Sequence, residues 1–183
     1  MKKIMATQET NNRTMGVLYG RALVQPTTID QEAREEDVVC ATEKMVTRFG
    51  WEEDYDEMLV CEAGAIRMDR ANQGLPLLDC HNAYTVHSQL GRTVKVWINE
   101  SRQLCARVRF SSRPEVAGIF QDVVDGIVKG ISVGYEIYKF EREERPNGAR
   151  PIYRAIDWMP SELSLAPVPA DIDSGIRAVQ QQH

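Results

Sequence analysis

Apolar and polar positions alternate along residues 130–138, GISVGYEIY, with Ile131, Val133, Tyr135 and Ile137 set against Ser132, Gly134 and Glu136. A period of two predicts a strand with one buried face. Strand-like patterning also marks 14–24 (TMGVLYGRALV), 92–98 (RTVKVWI), 103–110 (QLCARVRF), 151–158 (PIYRAIDW) and 162–168 (ELSLAPV). The turn-like Asn99-Glu100-Ser101-Arg102 between two of these predicts an antiparallel hairpin. Pro167 and Pro169 place the last segment at a sheet edge or strand end. Residues 58–68 (MLVCEAGAIRM) and 75–82 (LPLLDCHN) are shorter apolar runs, the second ending in polar residues. Residues 25–57 are acidic and mixed, and TTIDQEAREED within them reads as a charged loop or short helix.

The period changes over 112–130. Val116, Ile119, Phe120, Val123, Val124, Ile127 and Val128 recur at helical spacing, behind a Ser112-Arg113-Pro114-Glu115 start with capping-box spacing. Gly126 or Gly130 ends this helix. Many strands, one clear helix and short connections predict a β-rich α+β fold, an antiparallel and partly closed β-barrel with flanking helices.

Composition narrows the picture. The chain has 183 residues, 43% of them hydrophobic, which suits one domain with its own core. A net charge of −5 and a pI near 5.3 argue against a broad basic face for nucleic acid and leave room for a local patch. No apolar run approaches the roughly 20 residues of a membrane-spanning helix. The two lysines near the N-terminus are followed by no apolar stretch, so a secretory signal is not expected and a cytosolic protein is. Cys40, Cys61, Cys80 and Cys105 are scattered, which predicts buried free thiols rather than a zinc ribbon or disulfides.

Candidate chemistry centres on few residues. Histidine occurs only as His81, His87 and the terminal His183. A serine nucleophile needs a base, and His81, closing an apolar run, can be held by a packed element and still face a cleft. Ser132 has Gly134 two residues on along the same strand face, which leaves room for a peptide backbone to approach. Glu162 begins an apolar strand on the polar side and can hold an imidazole, with Asp157 and Asp79 as rivals. Cys80 and His81 are strand neighbours that point apart, which disfavours a thiol–imidazole pair. Asp79, Cys80, His81 and His87 lack a recognised metal-ligand spacing. The residue pattern alone leaves Ser132 open between an ordinary surface serine and a nucleophile.

Three segments taken together, GLPLLDCHNAYTVHSQLGRT (74–93), DVVDGIVKGISVGYEIY (122–138) and DWMPSELSLAPVPAD (157–171), resemble the tailed-phage prohead or head-maturation protease family. The resemblance covers roughly 58–176, and departs in having Cys80 where a polar residue is usual before the histidine. It implies a herpesvirus-assemblin-like serine peptidase with His81 as base, Ser132 as nucleophile, Glu162 as third member (Asp157 as its rival) and Gly134 beside the substrate. The resemblance does not supply an oxyanion donor; backbone N–H groups near Pro167–Ala170 are the candidate, and neither a cofactor nor a metal is expected. Expected substrates are scaffold protein, major capsid protein and the protease itself; a homo-oligomer is left open, and neither nucleic acid nor membrane is an expected partner. The expected location is the host cytoplasm, inside the assembling prohead. The expected organisation is a flexible N-terminus (1–14), a protease domain (15–176) and a C-terminal tail (177–183). Two alternatives stand beside it: a non-catalytic capsid-assembly module with the same fold, and a metal-dependent hydrolase built on His81 and His87.

Overall fold

The computed structural model describes residues 18–23, 29–50 and 52–167. The expected N-terminal segment 1–14, the tail 177–183, His183 and all but the first residue of the oxyanion stretch lie outside the described residues. In chain order the elements are β1 (Leu18–Leu23), β2 (Glu35–Thr42), β3 (Val46–Arg48), β4 (Tyr55–Leu59), α1 (Asp69–Gln73), β5 (Pro76–Asp79), β6 (Gln89–Ile98), β7 (Gln103–Phe110), α2 (Pro114–Val124), β8 (Gly130–Glu143) and β9 (Ile152–Leu165).

The strands form one mixed sheet in the order β1-β8-β9-β5-β6-β7-β2, with β3 and β4 branching from β9. The β-rich expectation holds. The all-antiparallel one is corrected, because β9 runs parallel to both β4 and β5. β9 is 14 residues long and works as a spine. One of its edges pairs with β8 throughout, while its other edge takes β4 along Ile152–Ala155 and β5 along Leu163–Leu165. The segments 151–158 and 162–168, expected as two strands, are therefore one. Pro160 does not break it, because the ladder steps from Gly134–Glu162 to Tyr135–Pro160 and leaves Ser161 as the extra residue of a bulge. A bulge is where a sheet tolerates a residue without an N–H. β1 and β2, the two ends of the strand order, approach each other.

The end of the acidic stretch read as a loop or short helix, Glu35–Asp37, is the start of β2. Its charges have partners across the ladder: Glu35 lies opposite Arg109 and Asp37 opposite Arg107. Asp37 takes Arg107 in a two-pronged ion pair at 2.7 and 2.8 Å, and Glu35 accepts from Arg109. Opposite charges facing each other stabilise antiparallel pairs, so a polar outer face coexists with buried Val38, Cys40 and Ala41. The hairpin of β6 and β7 forms as its pattern predicts.

α2 turns Val116, Phe120 and Val123 inward. Its capping box does not form, since Arg113 is the N-cap and no side chain caps it. The helix stops at Val124, short of the apolar pattern. Gly126 takes φ +69°, and the N–H groups of Ile127 and Val128 fold back onto the Asp122 carbonyl. Ile127 is left 71% exposed.

The core joins α2 to the inner face of the sheet through Leu77, Leu104, Val108, Phe110, Ile131 and Leu163. Tyr135 meets Trp158 edge-on at 5.8 Å, and the Trp158 indole N–H donates to the Val60 carbonyl at 2.9 Å. The Tyr135 hydroxyl donates to buried Glu57, which also accepts from Arg48 at 3.0 and 3.1 Å. Cys40, Cys61 and Cys105 are buried free thiols, whereas Cys80 is exposed. Among the described residues no helix is long and apolar enough to cross a membrane.

Candidate functional site

β5, β8 and β9 bring the candidate residues to one place. β8 and β9 pair Ser132 with Ser164 and Gly134 with Glu162, and directly opposed residues share a sheet face. On the other side of β9, Leu78 of β5 lies opposite Ser164, and the chain then delivers His81 just past the strand end. Ser132, Glu162 and Ser164 are all buried, Ser164 fully.

The imidazole of His81 meets Glu162 directly, Nδ1 to Oε1 at 2.7 Å. The other carboxylate oxygen accepts from the Ser164 hydroxyl at 2.7 Å, and that hydroxyl oxygen accepts from the His81 backbone N–H at 3.0 Å. A three-membered ring results in which Glu162 fixes the side chain of His81 and Ser164 fixes its backbone. A carboxylate on Nδ1 requires the proton there in the neutral ring, which leaves the Nε2 lone pair to accept one. An imidazole oriented in this way can act as a proton acceptor at Nε2.

The backbone at His81 is held in an unusual conformation. Cys80 and His81 are consecutive left-handed residues at φ +46° and +60°. Neither is glycine, and each such residue costs on the order of 1–3 kcal/mol. The curl is held by the Cys80 N–H on the Leu165 carbonyl at 3.0 Å and the Asn82 N–H on the Asp79 carbonyl at 2.9 Å. Strain of this kind, secured by surrounding bonds, is characteristic of sites where side-chain aim matters.

Gly134 has a different job from the one expected. A Cβ there would stand 2.3 Å from Glu162 Oε1 and 3.0 Å from its Cδ and Cγ. The space beside the glycine is filled by the Glu162 side chain, so the expected substrate floor is instead the seat of the carboxylate. Asp157, the rival acid, is engaged elsewhere: Arg67 grips it two-pronged at 2.6 Å on the protein surface. His87 is exposed in a short turn at 86–88 and takes no part in the His81 network. Partial burial and the Asp79 carboxylate push the Cys80 thiol above its ordinary value, which keeps it protonated and argues against a thiolate–imidazole pair. Asp79, Cys80, His81 and His87 do not assemble a metal set, and among the described residues no group of three or more such ligands does.

Ser164 is the functional residue that sequence reasoning left without a role. Its signal was present, because Glu162 and Ser164 alternate onto one face of ELSL. The link from its hydroxyl to the His81 backbone spans 83 positions and depends on a parallel pairing that no local pattern shows.

The chain is 37% identical over 120 residues to the major capsid protein of Halomonas phage phiHAP-1, an alignment covering 66% of this chain and 20% of that protein. The chain thus spans about a fifth of the length of the curated relative it matches. No family model matches it, and no solved structure does. This corrects the expected membership of the prohead protease family, and with it the expected function of cleaving scaffold and capsid segments during head maturation. What the chain is similar to is a phage capsid protein.

Proposed function

We propose that this chain is a structural module of a phage capsid polypeptide, acting in capsid assembly and residing in the virion. The observation that carries this reading is the 37% identity over 120 residues to a phage major capsid protein. A host-cytoplasmic assembly phase belongs to the same proposal. So does the finer fold reading, a partly closed, assemblin-like barrel, supported by the approach of β1 to β2. The test is to express the phiHAP-1 major capsid protein with and without the segment that corresponds to this chain, and to image the assemblies by electron microscopy. Particles are expected to be lost or misshapen without the segment and restored when it is returned. Normal particles without it would sink the reading.

A second reading is favoured by one specific observation, the Glu162–His81 contact at 2.7 Å on the sheet face that also holds Ser132. In it the module carries a serine-type peptide hydrolase centre, with Ser132 as nucleophile, His81 as base and Glu162 as the carboxylate that orients the ring and stabilises its positive charge. Its substrate is unassigned. The test is covalent labelling by a fluorophosphonate, read by mass spectrometry. Label is expected on Ser132 in the wild type and none in Ser132→Ala or His81→Ala. Failure of the folded wild type to label removes the hydrolase reading and leaves the structural one untouched.

A further inference from the structure

A cavity of about 350 Å³ opens where the turn at 86–88 meets the start of β6, the end of β7 and the first turn of α2. Three arginines line it, Arg92, Arg109 and Arg113. Their charge balance is uneven. Arg109 is neutralised by Glu35. Among the described residues Arg113 donates to neutral oxygens: the carbonyls of Val86 and Gln89 and the hydroxyl of Ser111. Arg92 does the same, at 3.3 Å to the Thr93 carbonyl and 3.3 Å to the Gln73 carbonyl. Among the described residues, therefore, the cavity's Arg92 and Arg113 meet no carboxylate, in a chain whose net charge is −5.

Neutral carbonyls orient a guanidinium without cancelling its charge, and a planar fork of donors matches a carboxylate better than any other common partner. The rest of the lining is not suited to a bare anion. Buried Phe110 supplies an aromatic wall, and Val86 stands 77% exposed at the rim. An inorganic anion makes no use of either. A carboxylate on a short apolar stem, carried by a polypeptide that also covers Val86, uses all of them.

We propose that this cavity binds an acidic segment of a partner polypeptide, with Arg92 and Arg113 taking its carboxylates and Val86 and Phe110 its apolar stems. The site is separate from the His81 network and depends on neither reading of it. Binding is electrostatically steered and weakens with salt.

The experiment is fluorescence anisotropy of the full chain with a fluorescein-labelled peptide of alternating glutamate and leucine, against the same peptide with glutamine in place of glutamate. The acidic peptide is expected to bind at least about tenfold more tightly, the scale of one charge-assisted contact. Arg92→Gln and Arg113→Gln are each expected to weaken it about tenfold, while Arg70→Gln, an exposed arginine on α1 that is not among the lining residues, leaves it unchanged. Arg113 also ties down the 86–89 segment, so thermal melting accompanies each variant; Arg92→Gln, whose bonds are long and exposed, carries the result if Arg113→Gln unfolds. Equal affinity for the two peptides overturns the proposal. So does equal loss in Arg70→Gln, or binding of inorganic phosphate with no binding of the peptide.

Discussion

Two buried glutamates sit in different regions of the same sheet and live in opposite surroundings. Glu162, on the β9 spine, has both carboxylate oxygens bonded, one to His81 and one to Ser164. Glu36, on β2 at the far end of the strand order, is 1% exposed, and among the described residues neither of its oxygens has a hydrogen-bond partner. Arg34 beside it, stacked over the Phe120 ring, also has two buried guanidinium nitrogens with no hydrogen-bond partner among the described residues. Burial, and secondarily the charge of Asp37, push the Glu36 carboxyl up to about 8. A buried carboxyl is thus not in itself the mark of a site. The mark is what it is bonded to, because a satisfied carboxylate can orient a neighbour while an orphaned one is simply held neutral.

Substitutions at the two positions should break that comparison most visibly in reactivity. If the hydrolase reading holds, Glu162→Gln lowers the rate of Ser132 labelling about 10³-fold or more, and Glu36→Gln leaves it unchanged. Equal effects of the two would show that Glu162 does not act through His81. The next largest effect is on stability and has a definite pH sign. The Glu36 carboxyl lies at about 8 in the fold against an ordinary 4.5, so between those values the folded state holds a proton that the unfolded state has released. Its stabilising contribution is complete below about 4.5 and is lost as pH rises to about 8, at up to about 1.4 kcal/mol per pH unit. Urea melts across that window should show the fall in the wild type and its absence in Glu36→Gln.

A smaller effect is expected at Gly134. An alanine there forces Glu162 off His81, at a cost of about 1–3 kcal/mol. The loss of the Nδ1 contact should appear in the imidazole NMR signals of His81, and unchanged signals would mean that Glu162 shares the space freely. The smallest is at Asp157, whose pair with Arg67 is solvent-exposed. Asp157→Asn should leave both the urea melt and the labelling essentially unchanged.

Much of the sheet was legible. Alternation marked β8 and the β6–β7 hairpin because one face of each carries the apolar side chains of a buried surface. β2 was not legible, since Glu35, Glu36 and Asp37 read as a solvated run until the arginines of β7 are placed opposite. The continuity of β9 was hidden by Pro160, which only the bulge accommodates. His81, Ser132 and Glu162 were each visible as candidates, and the side-chain contact between His81 and Glu162 spans 81 positions. At Gly134 a single strand cannot say whether a ligand or the neighbouring strand's side chain fills the space beside it. The identification built on these residues went further than they did, and similarity to a capsid protein corrected it.

The spine position of β9 also sets a clock on synthesis. β4 and β5 are made early, yet their shared partner is among the last described residues to leave the ribosome. Until Leu165 is out, β8 lacks its long ladder, His81 lacks both Glu162 and Ser164, and one edge of each of three strands is bare. The nascent chain therefore has to keep these edges from pairing elsewhere, and the His81 network comes into being only once β9 has emerged.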